Sequence, residues 1–387
     1  MSEINASNFK KEHGDLAPDL VGVTELTSPY FFVPPSGNTA ERPSDCEPGT
    51  LRFNTDIGSL EVFRGKTIGW EQIQRSDGQY LGGGTGSNTG LGVRGLAMSS
   101  TDYGATESDT IEFITISTLG NSQDFGNLTI GARQGTGFSS RTRALQAGGY
   151  DGSSRHNRID FVTIASLGNA SDFGDLQETR IGNPSGISNQ TRGLVAAGEN
   201  PGNTNDIDYI TISSTGNAVD FGHLSNAYQT GFAAGSTTRG IFAGGRGGGY
   251  YNVIEFVTFA TTGDVTDFGD LSSQKKGSGK GNASNSTRAI FCGEDKSGDT
   301  ITNVIEFITI ATTGNAIDFG DATSNITTVA NLFSSTRGVF SGGFNGSSNV
   351  NSIQFVEIAT TGNAQDFGDC TLTNASRTGA SSGHGGL

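Results

Sequence analysis

Cysteine is scarce in this chain of 387 residues, occurring only as Cys46, Cys292 and Cys370. Three scattered thiols supply neither a disulfide framework nor a zinc site, so no disulfide need be assumed and the chain can fold in a reducing cytoplasm. Cations are in deficit: 24 Lys and Arg face 39 Asp and Glu, a net charge of −15. That balance argues against a nucleic-acid surface, which needs clustered Lys and Arg, and against docking on anionic lipid. Long apolar runs are missing as well, so no membrane-crossing helix is expected. Met1-Ser2-Glu3-Ile4-Asn5 opens a polar stretch without the apolar core of a secretory signal, and none is expected.

Glycine, by contrast, numbers 60. It recurs at fixed offsets inside strand-like patterns, as turn and close-packing chemistry requires. One phrase occurs six times. It opens at Arg94, Arg143, Arg192, Arg239, Arg288 and Arg337, each followed by a small residue and an apolar run, at spacings of 49, 49, 47, 49 and 49. An Ile-acid-aromatic-aliphatic-Thr strand follows, as in Ile111 to Thr115, with Gln354 and Glu357 departing in the sixth copy. Each copy then reaches a Gly-Asn or Gly-Asp turn and an Asp-Phe-Gly tripeptide headed by Asp124, Asp172, Asp220, Asp267, Asp318 or Asp366. A repeat of roughly 48 residues fits a four-stranded propeller blade or a short-strand solenoid. The spacing predicts strands before the Arg, through the Arg phrase, through the Ile phrase and through Asp-Phe-Gly.

The expected fold is all-β: a six-bladed propeller over residues 93–387, with repeats near 93–141, 142–190, 191–237, 238–286, 287–335 and 336–387. Residues Arg377 to Ser382 resemble the stretch that precedes each Arg, so the C-terminal strand is expected to complete the first blade beside Arg94 to Ser99. The rival for that place is Leu81 to Leu91. In front lie an extended arm over 1–48, a small antiparallel meander over 49–75 and a Gly-rich linker over 76–92. Tyr30, Phe31 and Phe32, bounded by prolines, read as a strap that packs on another surface.

The chemistry-bearing residues read as structural. A kinase reading of Asp-Phe-Gly fails for want of the accompanying Lys strand and His-Arg-Asp loop. Each Asp lies 28 to 30 positions after a repeat Arg, which predicts a partly buried ion pair between them. The acid after the Ile (Glu112, Asp160, Asp208, Glu255, Glu306) is a competing partner. His13, His156, His223 and His384 occupy unlike repeat positions, and no nucleophilic triad or matched carboxylate pair is present. Acids such as Asp295, Asp299, Asp172/Asp175 and Asp318/Asp321 follow no known calcium pattern. Hence no enzyme, metal or cofactor is expected. Lys275, Lys276 and Lys280 read as a solvated loop. Tyr103, Tyr150, Tyr250 and Tyr251 fall in the variable loops of one face and are the binding candidates.

The Arg-Gly-Leu opening, the Ile-Glu-Phe-Ile-Thr-Ile strand, the Thr-Gly-Asn-Ala turn and the Asp-Phe-Gly end resemble kelch-like repeats in structural proteins of tailed, notably marine, bacteriophages. The ending Gly383-His384-Gly385-Gly386-Leu387 is similar to theirs. The segment Gly49 to Thr55, with Leu60 to Phe63 and Gly69-Trp70, resembles short β modules of phage fibre and tail proteins. The resemblance implies a virion component assembled in the host cytoplasm in multiple copies. Its N-terminal region would dock on tail, fibre or capsid proteins through Tyr30, Phe31 and Phe32, and its propeller would face outward as a fibre or appendage for host attachment. Capsid decoration, or a lectin-like propeller binding a host glycan or protein, is the alternative. Kelch repeats carry Gly-Gly after the second strand. Gly148-Gly149, Gly244-Gly245 and Gly342-Gly343 match, whereas Ser99-Ser100, Ala197-Gly198 and Gly293-Glu294 depart, so those three loops are expected to differ in shape.

Overall fold

A computed structural model describes residues 34–56, 59–72, 93–101, 107–277, 283–293, 295–296, 300–373 and 375–383. Contacts divide the chain into two units, Met1–Arg75 and Ser76–Leu387. Tyr30, Phe31, Phe32, Tyr103 and the 76–92 linker lie outside the described residues.

In the first unit Leu51–Asn54, Ser59–Phe63 and Trp70–Gln72 form an antiparallel meander, and Ser36–Gly37 adds a short parallel strand beside Leu51–Asn54. So small a sheet cannot bury much apolar surface, and its centre is partly polar. Glu61 is fully buried and takes hydrogen bonds from Arg42 and Asn54, with Arg52 at 3.8 Å. The Arg42 contact holds the Glu61 carboxyl below its ordinary pKa against the opposing effect of burial. Trp70 packs on Phe63 at 5.5 Å and donates its Nε1–H to the Pro43 carbonyl.

Each repeat of the second unit contributes one main antiparallel sheet; Asp295–Lys296 and Thr300–Ile301 pair as a separate two-stranded sheet, and Glu199–Asn200 adds a fifth strand to the third main sheet. Sheet 1 pairs Thr378–Ser381, Arg94–Thr101, Glu107–Thr115 and Gln123–Asn127 in that order. Its first strand is thus the C-terminal one, with Gly379 opposite Ala97 and Ala380 opposite Leu96. Sheet 2 runs Thr136–Ser139, Arg143–Tyr150, Arg155–Thr163, Ser171–Asp175, and sheet 3 runs Ser185–Ser188, Arg192–Ala196, Gly202–Thr211, Val219–Tyr228. Sheet 4 follows with Phe232–Gly235, Arg239–Ala243, Val253–Thr258 and Thr266–Asp270. Sheet 5 comprises Arg288–Cys292, Val304–Thr309 and Ile317–Asp321, and among the described residues before Arg288 a bridge pairs Ser284 with Ala289. Sheet 6 comprises Ala330–Phe333, Arg337–Ser341, Ser352–Glu357 and Gln365–Asp369.

Apolar side chains lie between successive sheets. Phe125, Leu96 and Ile111 of sheet 1 pack with Val162 and Ile164 of sheet 2. Comparable clusters join sheets 2 and 3, 3 and 4, 4 and 5, and 5 and 6. A sixth cluster joins Val339, Ile353 and Phe367 of sheet 6 to Ile114 and Ile116 of sheet 1. The first strands approach through small residues. A Cβ on Gly137 would stand 2.5 Å from the Gly379 carbonyl oxygen, so glycine is required there.

Candidate functional site

The repeat arginines do not pair with the Asp-Phe-Gly carboxylates. Each guanidinium instead lies over the aromatic ring of its own third strand, 4.6–4.9 Å from the centroids of Phe113, Phe161, Tyr209, Phe256, Phe307 and Phe355. That ring meets the tripeptide Phe edge-on, with centroids 5.7–6.1 Å apart. Each Arg Nη1 also donates to a backbone carbonyl of the next sheet at 2.7–3.1 Å. The acceptors are Ile164, Ile212, Phe259, Ile310, Ile358 and, for Arg337, Ile116. The correction has a physical cause: Asp124, Asp172, Asp220, Asp267, Asp318 and Asp366 are all exposed. Water solvates them well, and an exposed pair offers an Arg less than a ring face plus a partly buried carbonyl.

The tripeptide glycine is a docking point between sheets. The Gly of each Gly-Asn or Gly-Asp turn donates its N–H to the tripeptide Phe carbonyl of the preceding sheet at 2.7–2.9 Å, from Gly168 to Phe125 through to Gly120 to Phe367. The following Asn or Asp side chain accepts the N–H of the residue after the tripeptide, as Asn169 Oδ1 does from Asn127 and Asn121 Oδ1 from Asp369. A Cβ on Gly126 would stand 2.4 Å from the Gly168 carbonyl oxygen. Each sheet is therefore clipped to its predecessor by backbone contact that only glycine permits.

The third joint uses the acid after the Ile, which is buried in all five copies. Glu112, Asp160, Asp208 and Glu306 accept the N–H of Thr371, Thr129, Gln177 and Ser272 from the preceding repeat. Gln354 does the same for Thr323 at 2.8 Å. Their cations come from unequal places: Arg377 for Glu112, Arg180 for Asp208 at 2.9 Å, Arg158 for Asp160 at 3.1 Å and Lys275 for Glu306. Lys275 is thus buried in an ion pair, correcting the solvated-loop expectation. Lys280 lies outside the described residues. Among the described residues Glu255 has no cation and hydrogen-bonds to Ser225. Burial raises its pKa, as it does that of Asp208 despite Arg180. Arg180 and Lys275 share a repeat position, eight residues after the tripeptide Asp, a signal that sequence reasoning missed, whereas Arg377 and Arg158 stand at two other positions.

The loop face begins at the Gly-Gly positions. Gly148, Gly244, Gly293 and Gly342 have φ of 64–66°, and Ser99 and Ala197 take the same left-handed conformation at 51° and 62°. Ala197-Gly198, with φ of 62° and 105°, therefore keeps the backbone shape of the matching turns, contrary to expectation, whereas at Ser99-Ser100 only the first residue is left-handed and Ser100 stays in the strand, paired with Ser108. Sheet pairing on both sides imposes the conformation despite the Cβ. Tyr150 lies under Arg133 at 5.2 Å and donates its hydroxyl to Gly152 O. Tyr250 lies under Arg246 at 5.8 Å, and Tyr251 packs on buried Tyr228 at 6.3 Å. All three are half-buried and engaged within their loops.

His156 contacts Asp151, and His223 lies between Asp206 and Asp264. His13, His384 and Asp299 lie outside the described residues. Among the described residues no three His, Cys, Asp or Glu side chains gather as a metal site would require, and no helix is long and apolar enough to cross a membrane. In comparisons with known proteins, no family model matches the chain and no curated protein matches it.

Proposed function

We propose that the chain is a six-bladed kelch-like β-propeller, closed by its C-terminal strand, and that it serves as a virion structural protein of a tailed bacteriophage. In this reading the N-terminal unit docks on other virion proteins, in multiple copies, and the propeller faces outward as a fibre or appendage for host attachment. One observation carries the reading. The repeated Arg, the Asp-Phe-Gly glycine and the buried acid are all spent on joints between successive sheets, including the joints of sheet 6 to sheet 1 through Arg337 and Gly120. What varies from repeat to repeat is the loop face, as expected of a rigid scaffold that presents loops. An enzyme would need a unique set of groups set apart from the repeat.

The test is mass spectrometry of purified particles of the phage encoding this chain, with gold-labelled antibody against the full chain on intact particles. Label on a tail, fibre or capsid surface supports the reading. Particles free of the chain, with the protein in the soluble extract of infected cells, overturn it.

A further inference from the structure

We infer that a cleft at the loop ends of sheets 5, 6 and 1 binds a neutral saccharide. Its volume is about 660 Å³, inside the range of small-molecule sites, roughly 300–1,000 Å³. The cleft exists because of a local change in side-chain size. In sheet 2 the residue bridging to the loop strand is Arg133, which covers Tyr150 and pairs with Glu107 at 3.4 Å. In sheet 4 the corresponding residue is Gln229, bridged to Arg246. In sheets 6 and 1 the bridging residues are the short Thr327 and Ala375, so space opens where long side chains stand elsewhere.

The lining has the chemistry of sugar recognition. Phe344 and Ile301 provide apolar surface for the C–H face of a pyranose. Asn325 and Asn349 carry both donors and acceptors, and Thr300 and Thr327 add hydroxyls. Asn349 Oδ1 is buried without a hydrogen-bond partner, an acceptor that a ligand hydroxyl would satisfy. Among the described residues no carboxylate lines the cleft, so they offer none of the paired acids of glycoside hydrolysis and suit binding. Among the described lining residues Lys276 alone is charged, too little positive charge to select a polyanion.

The inference rests on the attachment reading for its biological partner, a host surface glycan. The purified full-length chain is applied to an array of neutral and sialylated oligosaccharides. Binding to neutral glycans is expected, about tenfold weaker in Phe344→Ala from lost stacking alone. Asn325→Ala, at an exposed position that the fold does not need, is expected to weaken binding too, while Leu167→Ala, exposed in the turn before Gly168 and away from the cleft, leaves it unchanged. No neutral glycan captured, capture of acidic glycans only, or Phe344→Ala and Asn325→Ala both binding as wild type would each overturn the inference. Array binding is read on the isolated chain and particle location on the virion, so the two readings fail separately.

Discussion

Glu255 is a buried carboxyl with a serine and no cation as its partner among the described residues. Burial raises its pKa, so the folded chain holds that proton more tightly than the unfolded chain. Its contribution to stability therefore falls as pH rises from the unfolded carboxylate value, about 4.3, through the raised one. Glu255→Gln keeps an acceptor and removes the charge, as Gln354 does in sheet 6. We expect the variant to melt roughly 2–4 °C higher than wild type at pH 7, with the difference vanishing near pH 4 by calorimetry. Arg377 sits at the other extreme, fully buried against fully buried Glu112. Arg377→Met leaves that carboxylate unpaired and should cost about 3–5 kcal/mol in urea unfolding. A loss under about 1 kcal/mol would mean the pair is solvated.

The unit of assembly at the scale of elements is the clip between a glycine turn and the preceding fourth strand. Gly126→Ala drives a methyl group into the Gly168 carbonyl, backbone that cannot yield without moving a sheet, and should destabilise by about 1–3 kcal/mol. Asn169→Ala removes only the acceptor for Asn127 N–H and should cost about 1 kcal/mol. If urea midpoints ranked these two in the reverse order, close backbone approach would not be the reason for the glycine. Arg239→Ala strips Phe256 of its stacked cation and the Ile310 and Ala311 carbonyls of their donor. It should lower the melting temperature although no ion pair to Asp267 exists to be lost.

For the whole molecule, sheet 1 is completed by a strand from the far end of the chain. Deleting residues 375–387 removes Thr378–Ser381 and Arg377 together, leaving the Arg94–Thr101 edge unpaired and Glu112 without its cation. An open sheet edge is a template for another chain. The truncated protein is therefore expected to elute as dimers or aggregates in size-exclusion chromatography and to lose its cooperative melt. A monomeric truncation melting like wild type would show that the pairing of Gly379 with Ala97 contributes little.

Much of this architecture was legible from residue pattern alone. The sixfold Arg phrase announced one main sheet per repeat, strand patterning and glycine turns announced the four strands found in sheets 1, 2, 4 and 6, and the likeness of Arg377 to Ser382 to the other pre-Arg stretches identified the strand that completes sheet 1. Those features are local, or repeat, and periodicity reports both. Tertiary structure alone decided who meets whom between sheets. Arg94 ends on the Ile164 carbonyl, a backbone group that no residue type announces, and the cations for buried acids come from Arg180 and Lys275, each eight residues after its tripeptide Asp, but from Arg377 and Arg158 at two other repeat positions. The cleft beside Phe344 likewise depends on Thr327 and Ala375 being short on adjacent sheets. A sequence lists side chains in one dimension, whereas burial, solvation and close approach are settled only when distant segments share a surface.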